Sequence, residues 1–428
     1  MAGPSALPLD VIVLADIAIV LVAGAALVRL ARQLHQPPVI AELTAGIMLG
    51  PSLLGLLPGH LPDLIFPPQA RPVLATVAQI GLVLFMFLAG WDMDLRHLCG
   101  RGPTLSSTAA AAMVVPFALG AAAAMTLHGS FGPQRTGRTA FVLYMAMAFS
   151  ITAFPVLARI IKERGLSGTR VGNLAMACAA IGDVTAWCVL VLLVAMAGTG
   201  GTTEFVTVVA LTLAFAAVMA FITRPLLATY VGRVSGPVLP TLISAGVLLA
   251  SVATTWIGIH AIFGAFAFGL AMPRNGQRAR QESVTSPLEK VTSLLLPVYF
   301  VVTGLTVDIN SLSGTGYLTL LLVVTVALIG KFTGAALPAR LWGMGWKEAG
   351  AFGALMNTRG LTELVILGIG RERGLIGPEL FTVMALMALI TTAMAGPLLH
   401  LLCPAPPRPS RQKNSGLPED HGHRSQVE

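Results

Sequence analysis

The chain has 428 residues, of which 55% are hydrophobic and only 11% charged. A soluble domain carries about 25% charged residues, so composition excludes an ordinary water-exposed globular fold and indicates a polytopic membrane protein. The formal charge of +8 follows from loop placement and implies no nucleic-acid partner. The four cysteines (Cys99, Cys178, Cys188, Cys403) have neither metal-ligand nor redox spacing, so no disulfide framework is implied.

The apolar run of residues 11–28 does not read as a cleaved signal. No Lys or Arg precedes it, and Asp10 and Asp16 are wrong for one. Arg29 and Arg32 follow it instead, which suits a first spanning helix with its N-terminus outside. Spans of about 20 residues then predict about 13 helices, near 9–31, 37–57, 74–91, 105–128, 139–161, 171–197, 204–230, 237–256, 258–273, 290–309, 315–341, 347–371 and 378–403. Only Trp256, Gly258 and His260 separate the eighth from the ninth.

With the N-terminus outside, about 20 Lys and Arg fall on the inner side, among them Arg159, Lys162, Arg164, Arg170, Arg274, Arg278, Arg280, Lys290, Arg340 and Lys347. About five fall outside: Arg71, Arg135, Arg138, Arg371 and Arg373. This asymmetry obeys the positive-inside rule and predicts a cytoplasmic C-terminus; the expected location is the plasma (inner) membrane. Residues 1–403 read as one transmembrane domain. From about Pro404 the composition turns polar and Pro-rich, so 404–428 is expected to be a disordered cytoplasmic tail.

Charged residues deep in these spans carry the chemistry. Asp183 lies in the middle of the sixth, where a carboxylate costs roughly 2.5–3.5 kcal/mol to insert, so it marks an ion path, a proton relay or a buried partner. Lys331, in the eleventh, offers a matching positive charge. Glu42, a few residues into the second span, suits an interface or the mouth of the path. Asp16 in the first span reads as a pore residue or a polar contact. Asp92, Asp94 and Asp308 sit at span ends, and His260 reads as a helix-end histidine.

Two spans look broken. In the fifth, Ser150-Ile151-Thr152-Ala153-Phe154-Pro155 puts small polar residues and a proline in mid-helix. In the twelfth, Met356-Asn357-Thr358-Arg359-Gly360-Leu361-Thr362-Glu363 places several polar groups and a glycine at membrane depth. Breaks survive in lipid only where protein or a watery cavity satisfies the freed backbone groups. Taking the seventh span as a linker, each break falls in the fifth helix of a six-helix half. Interrupted spans at corresponding places point to a transport site at an inverted-repeat interface.

Several fragments, by their order and spacing, carry a family likeness: Gln36-Pro37-Pro38-Val39-Ile40-Ala41-Glu42 with Gly46-Ile47-Met48-Leu49-Gly50-Pro51; Phe85-Met86-Phe87-Leu88-Ala89-Gly90 leading to Asp94; residues 150–159; the Asp183 helix; residues 260–266; Leu296-Pro297-Val298-Tyr299-Phe300; Gly330-Lys331; and Asn357-Thr358-Arg359-Gly360. Over roughly residues 10–402 the chain resembles the monovalent cation:proton antiporters, in the branch of bacterial potassium-efflux and plant cation/proton exchangers. The resemblance implies an all-α inverted-repeat fold with two crossing broken helices, a scaffold part beside a mobile core, and a homodimer in the bilayer. It implies that Asp183 is the cation- and proton-binding carboxylate and Thr152 a ligand on the unwound stretch. Lys331 is then the core lysine, with Arg359 and Glu363 in the second crossing helix. The position before the aspartate often holds Asp, Asn or Gln in this family; here it is Gly182. That departure favours one carboxylate exchanging one Na+ or K+ for one H+, electroneutrally, or else a frame that no longer transports.

The residues by themselves leave rivals. An organic-anion carrier would prefer unpaired Arg or Lys to a lone aspartate. A channel-like potassium efflux system, or a non-transporting sensor on the same scaffold, stays open. Enzyme chemistry is disfavoured: the His-Glu-x-x-His spacing of a zinc protease is absent, no second aspartate helix offers a protease dyad, and no cofactor or resident metal is implied.

Overall fold

The computed structural model describes residues 8–34, 36–59, 61–92, 102–132, 137–197, 201–231, 233, 238–273 and 278–402. Asp94, Cys99, Arg135, Arg274, Cys403 and the tail from Pro404 lie outside them, as do the side chains of Trp187 and Cys188. The helices are α1 (Leu9–Gln33), α2 (Pro38–Leu49), α3 (Leu61–Ile65), α4 (Arg71–Asp92), α5 (Gly102–Phe131), α6 (Arg138–Ser150), α7 (Phe154–Glu163), α8 (Arg170–Ala197), α9 (Gly201–Val218), α10 (Arg224–Tyr230), α11 (Val238–Ile257), α12 (Ala261–Ala271), α13 (Arg278–Gly304), α14 (Gly314–Lys331), α15 (Leu337–Leu341), α16 (Trp346–Met356), α17 (Leu361–Glu372) and α18 (Pro378–Leu402).

Helix occupies each of the thirteen stretches expected from sequence, in the expected order. Nine helical stretches among the described residues are long and apolar enough to cross a membrane by themselves; Ala261–Ala271 is shorter. The molecule is thus an all-helical polytopic membrane fold. Two features were not foreseen. Short α3 forms in what reads as a loop, and α13 starts at Arg278, about three turns before the apolar part of its span. The split before the ninth span is a turn at Gly258 (φ 102°). There His260 caps α12, its Nδ1 accepting from Ile262 N at 3.4 Å.

Both expected breaks are present. After α6, residues 151–153 are non-helical and Pro155 enters at the start of α7, where its missing N–H is no loss. After α16, residues 357–360 are non-helical, and Gly360 adopts φ 152°, a conformation that favours glycine. Two further pairs of helices are joined through π-helical segments, Met219–Thr223 between α9 and α10 and Phe332–Ala336 between α14 and α15. In each, a proline follows two residues after the bulge, Pro225 and Pro338. A proline supplies no N–H to the turn before it, and widening that turn accommodates the loss.

The helices sort into two groups by contact. One comprises α1, α2, α4 and α11–α13; the other comprises α5–α8 and α14–α18, holding both breaks. Backbone contacts between the groups are sparse, the closest being α4–α7, α13–α17 and α2–α18, while α9 packs against α8 of one group and α11 of the other. Within the first group, α2 and α13 pack backbone to backbone where Gly46 lies against Val301 O and the Cα of Gly304. Small residues let membrane helices approach this closely.

Two cavities lie along the seam, at opposite ends of α4 and α13. One, of about 380 Å3, is lined by Phe85, Arg159, Lys162, Glu163, Glu289 and Leu296 among others, at the end rich in Lys and Arg. The other, of about 450 Å3, is lined by Ala75, Tyr299, Thr303, Leu364, Arg371 and Phe381 among others.

Candidate functional site

The two breaks cross and bond to one another. Ala153 N donates to Thr358 O at 3.0 Å, and Thr152 Oγ1 donates to Met356 O at 2.8 Å. The second break is also tied to α18. Asn357 Nδ2 donates to Thr391 O at 3.4 Å, and Thr392 Oγ1 lies 2.7 Å from both the N and the O of Arg359. Several of the backbone groups freed by the breaks therefore find protein partners, which the bilayer does not supply.

Helix ends at the crossing carry partial charges, positive at N-termini and negative at C-termini, and full charges of opposite sign sit on them. The C-terminus of α6 receives two cations. Arg359 donates to Ala148 O at 2.8 Å and to Phe149 O at 2.5 Å, and Lys331 Nζ donates to Ser150 O at 2.5 Å. The N-termini of α7 and α17 receive acids. Asp183 Oδ2 accepts from Phe154 N at 3.2 Å, in the first turn of α7. It also accepts from Thr362 Oγ1 at 3.3 Å, in the first turn of α17. Glu363, one residue further along α17, pairs with Arg359 at 3.2 Å.

All of these charges are buried: Asp183 is 1% exposed, and Lys331, Arg359 and Glu363 are 0% exposed. Asp183 Oδ1 has no hydrogen-bond partner. Glu363 Oε2 is likewise without a partner, but Glu363 is paired with Arg359 through its other oxygen, whereas Asp183 has no ion pair among the described residues and sits where two broken helices point their N-termini. Asp183 lines neither seam cavity, so this arrangement is closed over the carboxylate. Leu364, which lines the larger cavity, lies two positions beyond Thr362.

Lys331 approaches the break rather than the acid. Besides Ser150 O, its ammonium donates to Thr152 Oγ1 at 2.8 Å and Ala112 O at 3.4 Å. The last acceptor is free for a reason in the sequence. Pro116, inside α5, lacks the N–H that would bond Ala112 O four residues earlier. Thr152 thus links Lys331 to α16, and its hydroxyl is engaged there rather than at Asp183.

Of the residues singled out from sequence, Asp183, Thr152, Lys331, Arg359 and Glu363 come together at the crossing. Glu42 lies apart from it, buried in a two-point ion pair with Arg159 of α7. Asp16 is buried on α1 with Oδ2 unpartnered, Asp92 lies 3.9 Å from Lys162, and Asp308 caps a short 3-10 turn. Two contributors were not assigned a role from sequence. Thr362 was visible only as one polar residue of the second break. Pro116 carried a readable signal, a proline in mid-span, that marks a carbonyl in need of a donor. At Gly182 a Cβ would meet only Met113 Sδ, at 3.8 Å, so packing does not demand glycine there.

Comparison with known proteins agrees with this architecture. The family model described as sodium/hydrogen exchanger, transmembrane, matches residues 17–404. The chain is 37% identical to the Na+/H+ antiporter NhaS4 of Synechocystis over 92% of its own length and 98% of that protein. It is 38% identical to cation/H+ antiporter 20 of Arabidopsis thaliana, over 89% of this chain and 47% of that one. It is 31% identical to K+/H+ antiporter 1 of Saccharomyces cerevisiae, over 91% of this chain and 46% of that one. The chain therefore spans about half the length of these plant and yeast relatives. In fold it is similar to the sodium proton antiporter MjNhaP1 of Methanocaldococcus jannaschii, with a TM-score of 0.65 at 15% identity over 92% of this chain and 97% of that one. With a family model covering nearly all of its helices, the chain belongs to the sodium/hydrogen exchanger family of monovalent cation:proton antiporters.

Proposed function

We propose that the protein is a secondary antiporter that exchanges a monovalent cation, Na+ or K+, for H+ through competition at Asp183. One observation carries the reading: the Asp183 carboxylate is buried between two half-helix N-termini, with Oδ1 left without a partner. A proton or a cation on that oxygen cancels the charge, and either occupant excludes the other. A neutral loaded site crosses a low-dielectric interior at far smaller cost than a bare carboxylate, which penalises the empty carrier and couples the two gradients. Gly182 adds no second acid, so one positive charge moves each way and the exchange is electroneutral. Lys331, with its donors on Ser150, Thr152 and Ala112, acts as a strut of the crossing. Thr152 keeps the unwound stretch in register, and the carbonyls there supply further cation ligands once the core opens.

The same reading places the chain in the plasma (inner) membrane, as a homodimer, with its N-terminus outside and its C-terminus in the cytoplasm. Support comes from the loop charge asymmetry and the family resemblance. The seam cavities give the two aqueous faces, each opened in turn as the group holding the breaks moves against the other.

The test is reconstitution into liposomes with an internal pH dye, adding Na+, K+ and Li+ in turn with and without a voltage clamp. Cation-driven proton movement indifferent to the clamp is expected, and Asp183→Asn abolishes it. Full exchange in that variant overturns the role of Asp183. Current without coupling identifies a channel-like system, and no flux in the native protein a non-transporting sensor.

A further inference from the structure

On the basic side of the seam, two carboxylates share one guanidinium. Arg159, on α7, gives both terminal nitrogens to Glu42 of α2, with Nη2–Oε1 at 2.8 Å and Nη1 on Oε2. Its Nε donates to Glu163 Oε1 at 2.8 Å. The guanidinium also lies over the Phe300 ring of α13, 5.1 Å from its centroid. Two carboxylates thus compete for one guanidinium, with Arg164 near enough to Glu163 to act on it electrostatically.

The position of the cluster matters more than its strength. Glu42 and Phe300 belong to one helix group and Arg159 to the other, so the pair bridges the seam that must open during exchange. A buried ion pair contributes little net stability, because desolvation offsets its attraction; one across a moving seam suits a switch better than a brace. Arg159 and Glu163 line the cavity of about 380 Å3, while Glu42, 2% exposed, does not. Arg159 therefore stands between the cavity and Glu42. Along α7, at about 1.5 Å per residue, Arg159 is roughly 7.5 Å from Phe154, whose N–H holds Asp183.

We propose that Glu42 is an intermediate binding station for the transported monovalent cation on the basic face, masked by Arg159 in this closed arrangement and uncovered when Arg159 turns wholly to Glu163. The inference rests on the exchanger reading above. Glu163 is one helical turn from Arg159 and already bonded to it, so the guanidinium keeps a partner throughout. Uncovering Glu42 leaves a bare carboxylate with two oxygen ligands, the chemistry a hard cation prefers. A cation arriving from the cavity neutralises it there before passing to Asp183. The neighbouring basic groups are otherwise engaged: Lys162 bonds Glu289 at 2.8 Å across the seam, and Arg164 donates to Gly396 O at 3.1 Å.

The experiment is sided kinetics in everted and right-side-out membrane vesicles holding the full chain, with Na+ and K+ as the probes. Glu42→Gln is expected to raise the KM for cation presented at the basic face about tenfold and at the opposite face less than about twofold. Glu163→Gln, which removes the alternative partner of Arg159, is expected to lower the maximal rate with KM unchanged. If Glu42→Gln does not accumulate folded, Glu42→Asp, which keeps the charge, serves instead, with a smaller shift confined to the same face. Equal shifts at both faces, or none at either while Asp183→Asn is inactive, overturn the station and leave exchange at Asp183 standing. No exchange in the native protein overturns both.

Discussion

Lys331 shows how one side chain is placed by several local decisions. Its ammonium has three acceptors, and each is available because some other residue broke a helix: Pro116 frees Ala112 O, and the α6 break exposes Ser150 O and Thr152. Replacing Lys331 by Met fills much of the volume and leaves those acceptors buried without a donor. Hydrogen bonds to a charged group contribute about 1.5–3 kcal/mol, so Lys331→Met is expected to lower stability by roughly that amount. A thermal-unfolding scan of the detergent-purified protein measures it, and an unchanged midpoint would remove the strut role. That Asp183 and Lys331 would be charges buried at membrane depth was legible in the sequence, because a charge amid apolar residues stands out wherever it lies. That the lysine addresses carbonyls and not the aspartate was not legible, since spacing along the chain says nothing of which helix faces which.

At the scale of elements, the breaks hold the site together. Pro155 and Gly360 end regular structure for different reasons, one by lacking a donor and the other by tolerating a positive φ. A Cβ at Gly360 would also sit 3.0 Å from Val156 Cγ2, on the opposing half-helix α7. Gly360→Val is therefore expected to cost about 1–3 kcal/mol in backbone strain alone, and to slow exchange more than it lowers expression. Liposome exchange rates normalised to folded protein check this; a native rate would show that the turn is replaceable. Both breaks were readable as polar, Pro- or Gly-bearing interruptions of apolar spans. Their mutual bonds, Ala153 to Thr358 and Thr152 to Met356, were not, because they join residues about 205 positions apart. The π-helical segments before Pro225 and Pro338 were likewise outside a reading that treats each span as one regular helix.

For the whole molecule, the loop charges make a sided prediction. Arg138 and Lys347 are exposed at the starts of α6 and α16, the first halves of the two broken spans. In a background without the four native cysteines, Arg138→Cys is expected to react with a membrane-impermeant maleimide in intact cells. Lys347→Cys is expected to react only after permeabilisation. The reverse pattern would invert the proposed topology. Hydropathy, charge asymmetry and the position of two interruptions were enough, in the sequence alone, to determine an all-helical membrane bundle, the order of its spans and the identity of its costly acid. These are local consequences of transferring side chains out of water, and each can be read where it occurs. The division into two helix groups, the seam between them, and the capture of Glu42 by Arg159 are decided only in three dimensions. They depend on which helix faces meet, and that choice is made by shape and close packing over the whole chain.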